Sequence, residues 1–220
     1  IPHFNLDIIY EDDNILLINK PANLEVTGDN SLTTLIHKKY KDSIFKPMPC
    51  HRLDRNTTGI VLFAKNELSL NILLDKFKKH EITKKYLALV YGYPKQKYAK
   101  LESFLFKDTK KSQVYISDTF KKGYQKIITS YYVIKEYKNN SSLLEVEIET
   151  GKTHQIRAHL AHIGYPIIGD GKYGINSVNK QFDAKYQQLQ AYKLIFEFTS
   201  DSDILNYLKG KTFEIKPNWN

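Results

Sequence analysis

The spacing of apolar residues along this chain shifts between two patterns, and each shift predicts an element. Ile15–Ile18 is an unbroken apolar run ending at Asn19-Lys20-Pro21, which predicts a buried strand stopped by the proline. Ser31 is placed to cap a helix with Leu32, Leu35, Ile36 and Tyr40 on one side. Lys46-Pro-Met-Pro49 must be extended. Gly59–Ala64 reads as a core strand. Asn66 then caps a helix with Leu70, Leu73, Leu74 and Phe77 at i, i+3, i+4 and i+7.

Further along, Tyr86–Tyr91 is a β-type run ended by Gly92 and Pro94. Residues 95–125 are polar and Lys-rich without a clear period, and are expected to be strands and loops on a surface. Thr129–Ile134 is a strand. Leu144, Val146 and Ile148 alternate with Glu145, Glu147 and Glu149, which predicts a half-exposed strand. Thr153 is the expected cap of a helix through Ile163, stopped by Gly164, with Ile156, Leu160 and Ile163 toward the core and His154 and Arg157 on another face. Tyr165–Tyr173 is a Gly/Pro-rich loop and Leu194–Phe198 a last strand. Strands outnumber helices without strict alternation, so the expected fold is α+β in one domain, 1–220.

Composition narrows the function. The 220 residues carry a formal net charge of +9, which points to a polyanionic partner, nucleic acid ahead of anionic membrane. The lone cysteine, Cys50, excludes an internal disulfide and any cysteine-based zinc site, and suits a reducing compartment. No apolar run approaches the roughly 20 residues of a bilayer span, and no secretory signal is visible. The expected location is the cytoplasm. The chain begins at Ile1 rather than Met, which leaves an RNA-binding domain upstream open.

Arginine usage localises the chemistry. Of 33 Lys+Arg residues only Arg52, Arg55 and Arg157 are arginine, in His51-Arg-Leu-Asp-Arg-Asn-Thr-Thr-Gly59 and Thr153-His-Gln-Ile-Arg157. Lysine cannot copy the flat donor fork that grips a carboxylate or phosphate, so geometry matters at these positions. Asp54, just before a core strand and flanked by two guanidinium groups, reads either as an anion fit to act as nucleophile or base, or as a salt bridge in a turn. It has no second carboxylate beside it, which argues against a glycosidase. His51, His154, His159 and His162 lack metal-ligand spacing, Gly-x-Ser-x-Gly is absent, and Gly169-Asp-Gly171 with Gly174 reads as a tight turn rather than a phosphate loop. Tyr86, next to Lys84 and Lys85, pairs an aromatic ring with cations, as proteins do when holding an unstacked base.

His51–Gly59, Lys84-Lys-Tyr-Leu-Ala-Leu-Val-Tyr-Gly92 and Thr150-Gly-Lys-Thr-His-Gln-Ile-Arg-Ala-His159 resemble, in order and spacing, three motifs of the RluA-type RNA pseudouridine synthases. Ile15–Pro21 and Ala158–Gly174 resemble two further family stretches, so the likeness covers about residues 8–198. The resemblance implies isomerisation of uridine to pseudouridine in a ribosomal or transfer RNA stem-loop, by a monomer needing no cofactor and no metal. It implies a mixed, mostly antiparallel sheet flanked by helices and loops, with the active site in a central cleft. Asp54 matches the catalytic aspartate, Arg157 the arginine that pairs with it, and Tyr86 the tyrosine that stacks on the target base. Arg52 matches a residue that helps displace the base, and His51, Thr58, Lys84, Lys152, His154 and Gln155 fall at RNA-binding positions. Lys152 stands where the family often has arginine and Gln190 where histidine is common; Arg55 sits at a variable position. The other readings are a catalytically silent RNA-binding module on the same scaffold and an unrelated carboxylate enzyme.

Overall fold

The computed structural model describes residues 5–217 and 219. Its strands, in chain order, are β1 (Ile8–Glu11), β2 (Ile15–Lys20), β3 (Met48–Pro49), β4 (Thr58–Ala64), β5 (Ile82–Tyr91), β6 (Tyr98–Asp108), β7 (Gln113–Ser117), β8 (Gln125–Tyr137), β9 (Ser141–Ile148), β10 (Leu189–Phe196) and β11 (Thr212–Glu214). The helices are α1 (Leu32–Lys39), α2 (Glu67–Lys78), α3 (Gln155–His162) and α4 (Asn176–Gln181), with a 3-10 turn at Asp203–Leu208. The class is α+β, as the patterning predicts. The chain gathers into two compact units, one reaching Lys84 and resuming over Ala191–Lys216, the other spanning Lys85–Gln190 with residues from Pro217.

In the first unit β1, β2 and β4 pair antiparallel, and β11 pairs antiparallel with β10. β2 and β4 are buried almost throughout, which explains why they read as unbroken apolar runs rather than alternations. Ile15, Leu17, Ile60, Leu62, Leu73 and Phe196 share one core with the 3-10 turn's Leu205 and Leu208. Both predicted helix caps form: Ser31 Oγ accepts the Thr34 N–H at 3.3 Å and Asn66 Oδ1 the Ser69 N–H at 2.8 Å. Leu74, expected on the packed side of α2, is 45% exposed, because the core contact is narrower than the apolar stripe. Gly59 has φ +118, and a Cβ there would lie 2.2 Å from the Ala191 carbonyl oxygen. Gly59→Ala must therefore part these two backbones, and chemical denaturation should register a loss of at least about 3 kcal/mol.

The second unit is built on β5, β9, β8, β6 and β7, each antiparallel to the next. The Lys-rich 95–125 region holds two regular strands, β6 and β7; outward lysines mask an inward period of Ala99, Ser103, Leu105 and Val114. β9 alternates as predicted, with Leu144 and Val146 buried. α3 departs from expectation at its start. Thr153 does not cap it; His154 precedes the helix in the left-handed conformation, φ 53, without a side-chain cap. Gly164, φ +95, ends it as expected.

His159, fully buried on α3, bonds Thr129 Oγ1 at 2.8 Å and Ser103 Oγ at 3.1 Å. Burial, then the nearby His162, lowers its pKa from 6.5 to about 4. Between those values the unfolded chain binds a proton that the folded one resists, so stability falls as pH drops. Urea unfolding at pH 7, 5.5 and 4 should show up to about 3 kcal/mol lost through this group, and His159→Gln should flatten that slope.

Candidate active site

The Asp54 segment is held from below by an unusual lysine. Lys20, at the end of β2, has no solvent exposure, and its Nζ donates to the carbonyls of Pro21, Leu24 and Arg55 at 2.8, 2.8 and 2.9 Å. Burial lowers its pKa to about 7, while the charges of Glu25 and Asp54 oppose the fall. Three carbonyls facing one nitrogen tie the loop before the Pro21 turn to the loop bearing Asp54. The Thr57 N–H bonds the Asp54 carbonyl at 3.0 Å, closing a turn that leaves the Asp54 side chain half-buried. Arg55 forks onto Asn23 Oδ1 at 3.1 and 2.9 Å and so braces the same pair of loops. Arg52 is exposed.

His51 is tied to the backbone of β4: its Nε2 accepts the Leu62 N–H at 2.9 Å, and its ring lies 5.0 Å from that of Phe77. Burial, with the Lys84 charge, holds its pKa well below the ordinary histidine value. It is therefore a neutral ring with the proton on Nδ1, and that buried atom has no hydrogen-bond partner among the described residues. Thr58 Oγ1, at the start of β4, is likewise buried without one. Lys84 lies over the Phe77 ring, 5.8 Å from its centroid.

In the second unit the sequence-picked residues gather at α3. Arg157 is only 8% exposed, and its Nε and Nη2 donate to Asp170 Oδ2 and Oδ1 at 2.7 and 3.0 Å. Asp170 Oδ1 also accepts the N–H groups of Lys172 and Tyr173, at 2.9 and 3.0 Å. Burial alone would raise the Asp170 pKa; the Arg157 bonds and charge, with the two N–H groups, outweigh it and hold the carboxyl below its ordinary value. The Arg157 guanidinium lies 5.2 Å from the centre of the Tyr173 ring, whose hydroxyl bonds His154 Nδ1 at 2.8 Å and accepts the Val114 N–H at 2.9 Å. His154 and Arg157 thus converge on Tyr173, though not through the shared helix face expected of them, because His154 precedes the helix.

Gln155, expected to bind RNA, has its amide engaged inside the fold. Its Oε1 accepts from Thr150 Oγ1 and the Lys152 N–H, and its Nε2 donates to the Ile128 carbonyl and Thr129 Oγ1. It clamps the 150–155 turn, which explains why Thr153 is not needed as a cap. Lys152 projects from that turn, exposed. Tyr86, on β5 opposite Val146, is 5% exposed.

Asp170 and Lys20 are the residues that sequence reasoning missed. Asp170 was read only as part of a tight turn. The signal was Arg157 itself: a buried guanidinium in a Lys-dominated chain requires a carboxylate within reach. Among the described residues no group of three or more His, Cys, Asp or Glu is placed to hold a metal, and no helix is long and apolar enough to cross a membrane.

Comparison with known proteins gives these residues a family. A family model described as RNA pseudouridylate synthase matches residues 14–162, which include Asp54, Tyr86 and Arg157. Ribosomal large subunit pseudouridine synthase C of Rickettsia felis is 38% identical over 84% of this chain and 60% of its own length. Ribosomal large subunit pseudouridine synthase D of Buchnera aphidicola is 36% identical over 77% of this chain and 54% of its own. The chain thus spans between half and two thirds of the length of these two relatives. An uncharacterized RNA pseudouridine synthase of Mycoplasma capricolum is 34% identical over 100% of this chain and 74% of its own length. The solved structure of human RNA Pseudouridylate Synthase Domain Containing 1 shares the fold, with a TM-score of 0.76 at 24% identity over 91% of this chain and 83% of that one. A matched span covering more than half of the chain, and a relative matched along the whole of it, make this chain a member of the RNA pseudouridylate synthase family.

Proposed function

We propose that this chain isomerises a uridine in RNA to pseudouridine, with Asp54 as the reacting carboxylate, Arg157 as the guanidinium that acts with it, and Tyr86 as the ring that retains the detached uracil. The reaction breaks the bond from C1′ to N1, turns the ring and joins C1′ to C5, while the C5 proton is lost and N1 gains one. It is an isomerisation with no net redox change, so no oxidant or reductant is consumed. Asp54 serves by attacking the sugar or the base, or by removing a proton at the 2′ carbon. A paired uridine must first leave its stack, at a cost of a few kcal/mol that phosphate contacts offset. Arg52, Lys84 and Lys152 supply cations for this. Among the described residues, His51 Nδ1 and Thr58 Oγ1 are buried without hydrogen-bond partners beside the Asp54 loop.

The observation that carries the reading is the buried Arg157, gripped along one edge by Asp170, in a chain of this family. The names of the relatives support large-subunit ribosomal RNA as the substrate; in this reading the protein works in the cytoplasm, as a monomer. Purified protein mixed with unmodified ribosomal and transfer RNA transcripts, followed by pseudouridine mapping, tests it. Conversion at defined uridines is expected. Tight RNA binding without conversion would leave a silent binding module instead.

A further inference from the structure

The β6–β7 hairpin and the segment after it carry a face that none of the catalytic motifs uses. Inward, Leu105 and Val114 join Ile127 and Ala158 in a core cluster, so the hairpin is anchored. Outward it is aromatic. Phe106 stands opposite Tyr115 across the two strands and stacks on Tyr124, with centroids 5.5 Å apart and planes at 30°. Phe120 meets Phe104 edge-on at 5.7 Å and is itself 69% exposed; Phe106 and Tyr115 are each 38% exposed. These rings are held by one another rather than by the core, yet left open to solvent.

The same stretch is basic. Residues 104–126 contain Lys107, Lys110, Lys111, Lys121, Lys122 and Lys126 against Asp108 and Asp118, a formal balance of six minus two, or +4. All six lysines are exposed. His162 occupies Asp118 at 2.7 Å, and among the described residues only Lys126 of these lysines has a carboxylate near, Glu102 at 3.8 Å. Lys121 lies over the Tyr124 ring, 5.8 Å from its centroid. Rigid aromatic faces beside cations without carboxylate partners fit one chemistry above others: unpaired bases on the rings and their phosphates on the lysines. A second copy of this chain would bring like charge against like.

We propose that this face is a second RNA-docking surface, taking one or two unpaired bases of the substrate on Phe106 and Phe120 and the adjoining phosphates on Lys121 and Lys122. The proposal deepens the function above and rests on it for the identity of the RNA. β7 carries Tyr115 outward, while its Val114 N–H donates inward to the Tyr173 hydroxyl, so the outer face is free of the contacts around Arg157.

The test uses the full chain with Phe106→Ala/Phe120→Ala and, separately, Lys121→Glu/Lys122→Glu, both at exposed positions. Binding is measured in an Asp54→Asn background, so that it does not depend on turnover. Against a stem-loop carrying a single-stranded flank, the aromatic variant should bind about tenfold more weakly. The lysine variant should weaken binding and flatten the plot of log Kd against log salt by about one to two. With Asp54 restored, KM on the flanked RNA should rise and kcat stay unchanged. If the parent makes no pseudouridine but the variants still lose RNA affinity, the surface stands and the catalytic reading falls. An active parent whose variants bind and turn over flanked RNA like itself overturns the surface. So does a change in sedimentation, which would mark an interface between copies, or a loss confined to phosphatidylserine vesicles.

Discussion

Asp54→Asn will bind substrate RNA about as tightly as the parent and form no measurable pseudouridine, a loss of at least about 10⁴-fold in kcat. Asparagine keeps the shape of the side chain and removes its charge. A neutral amide neither attacks a sugar or pyrimidine carbon nor takes a proton from the 2′ position, so each version of the chemistry fails together. The fold should be little affected. The loop is held by backbone groups, with Lys20 on the Arg55 carbonyl and the Thr57 N–H on the Asp54 carbonyl, and neither bond uses the carboxylate. Electrophoretic shift with the flanked stem-loop, alongside single-turnover assays, separates the two quantities. A variant that retains even a tenth of parental kcat removes Asp54 from the reaction.

Asp170→Asn should slow kcat by about 10- to 100-fold while RNA affinity changes by less than about twofold. Oδ1 of the new side chain still accepts from the Lys172 and Tyr173 N–H groups, so the turn survives. An amide nitrogen now faces Arg157 Nε, donor against donor, and the guanidinium loses its grip. Unpairing a buried arginine also costs stability, on the order of 3 kcal/mol, so rates must be scaled to the folded fraction. A role limited to stability predicts parental kcat per folded molecule. Asp170 as a positioning residue predicts a lasting deficit, partly rescued by Asp170→Glu. It also predicts that adding Asp170→Asn to Arg157→Lys slows the enzyme no further, since both act through the same group.

The elements most legible in the chain were those whose periodicity came from a two-sided or one-sided core. β2 and β4 are buried on both faces and read as unbroken runs; β9 is buried on one and read as an alternation. Ser31 and Asn66 announced their helices because a cap needs only its own side chain and an N–H three residues on. β6 and β7 were obscured because their outward positions carry lysines and aromatic rings alike, so polarity no longer marks the exposed side. Thr153 misled because the 150–155 turn is closed by Gln155, reaching across to Thr129 of β8. A contact from another strand has no trace in local spacing.

The order of residues alone determined which side chains are chemically special here: a carboxylate between two arginines, a third arginine among histidines, and a tyrosine beside paired lysines. Those are properties of residue type and near neighbours, and they survive without coordinates. Only the folded chain decided what holds them, with Lys20 sealed beneath the Asp54 loop, His51 turned onto the Leu62 N–H, and Arg157 clasped by Asp170 above Tyr173. Burial is what makes the difference. A charge withdrawn from water must find its partner wherever the chain has brought one, and that partner can lie 13 or 35 residues away in sequence.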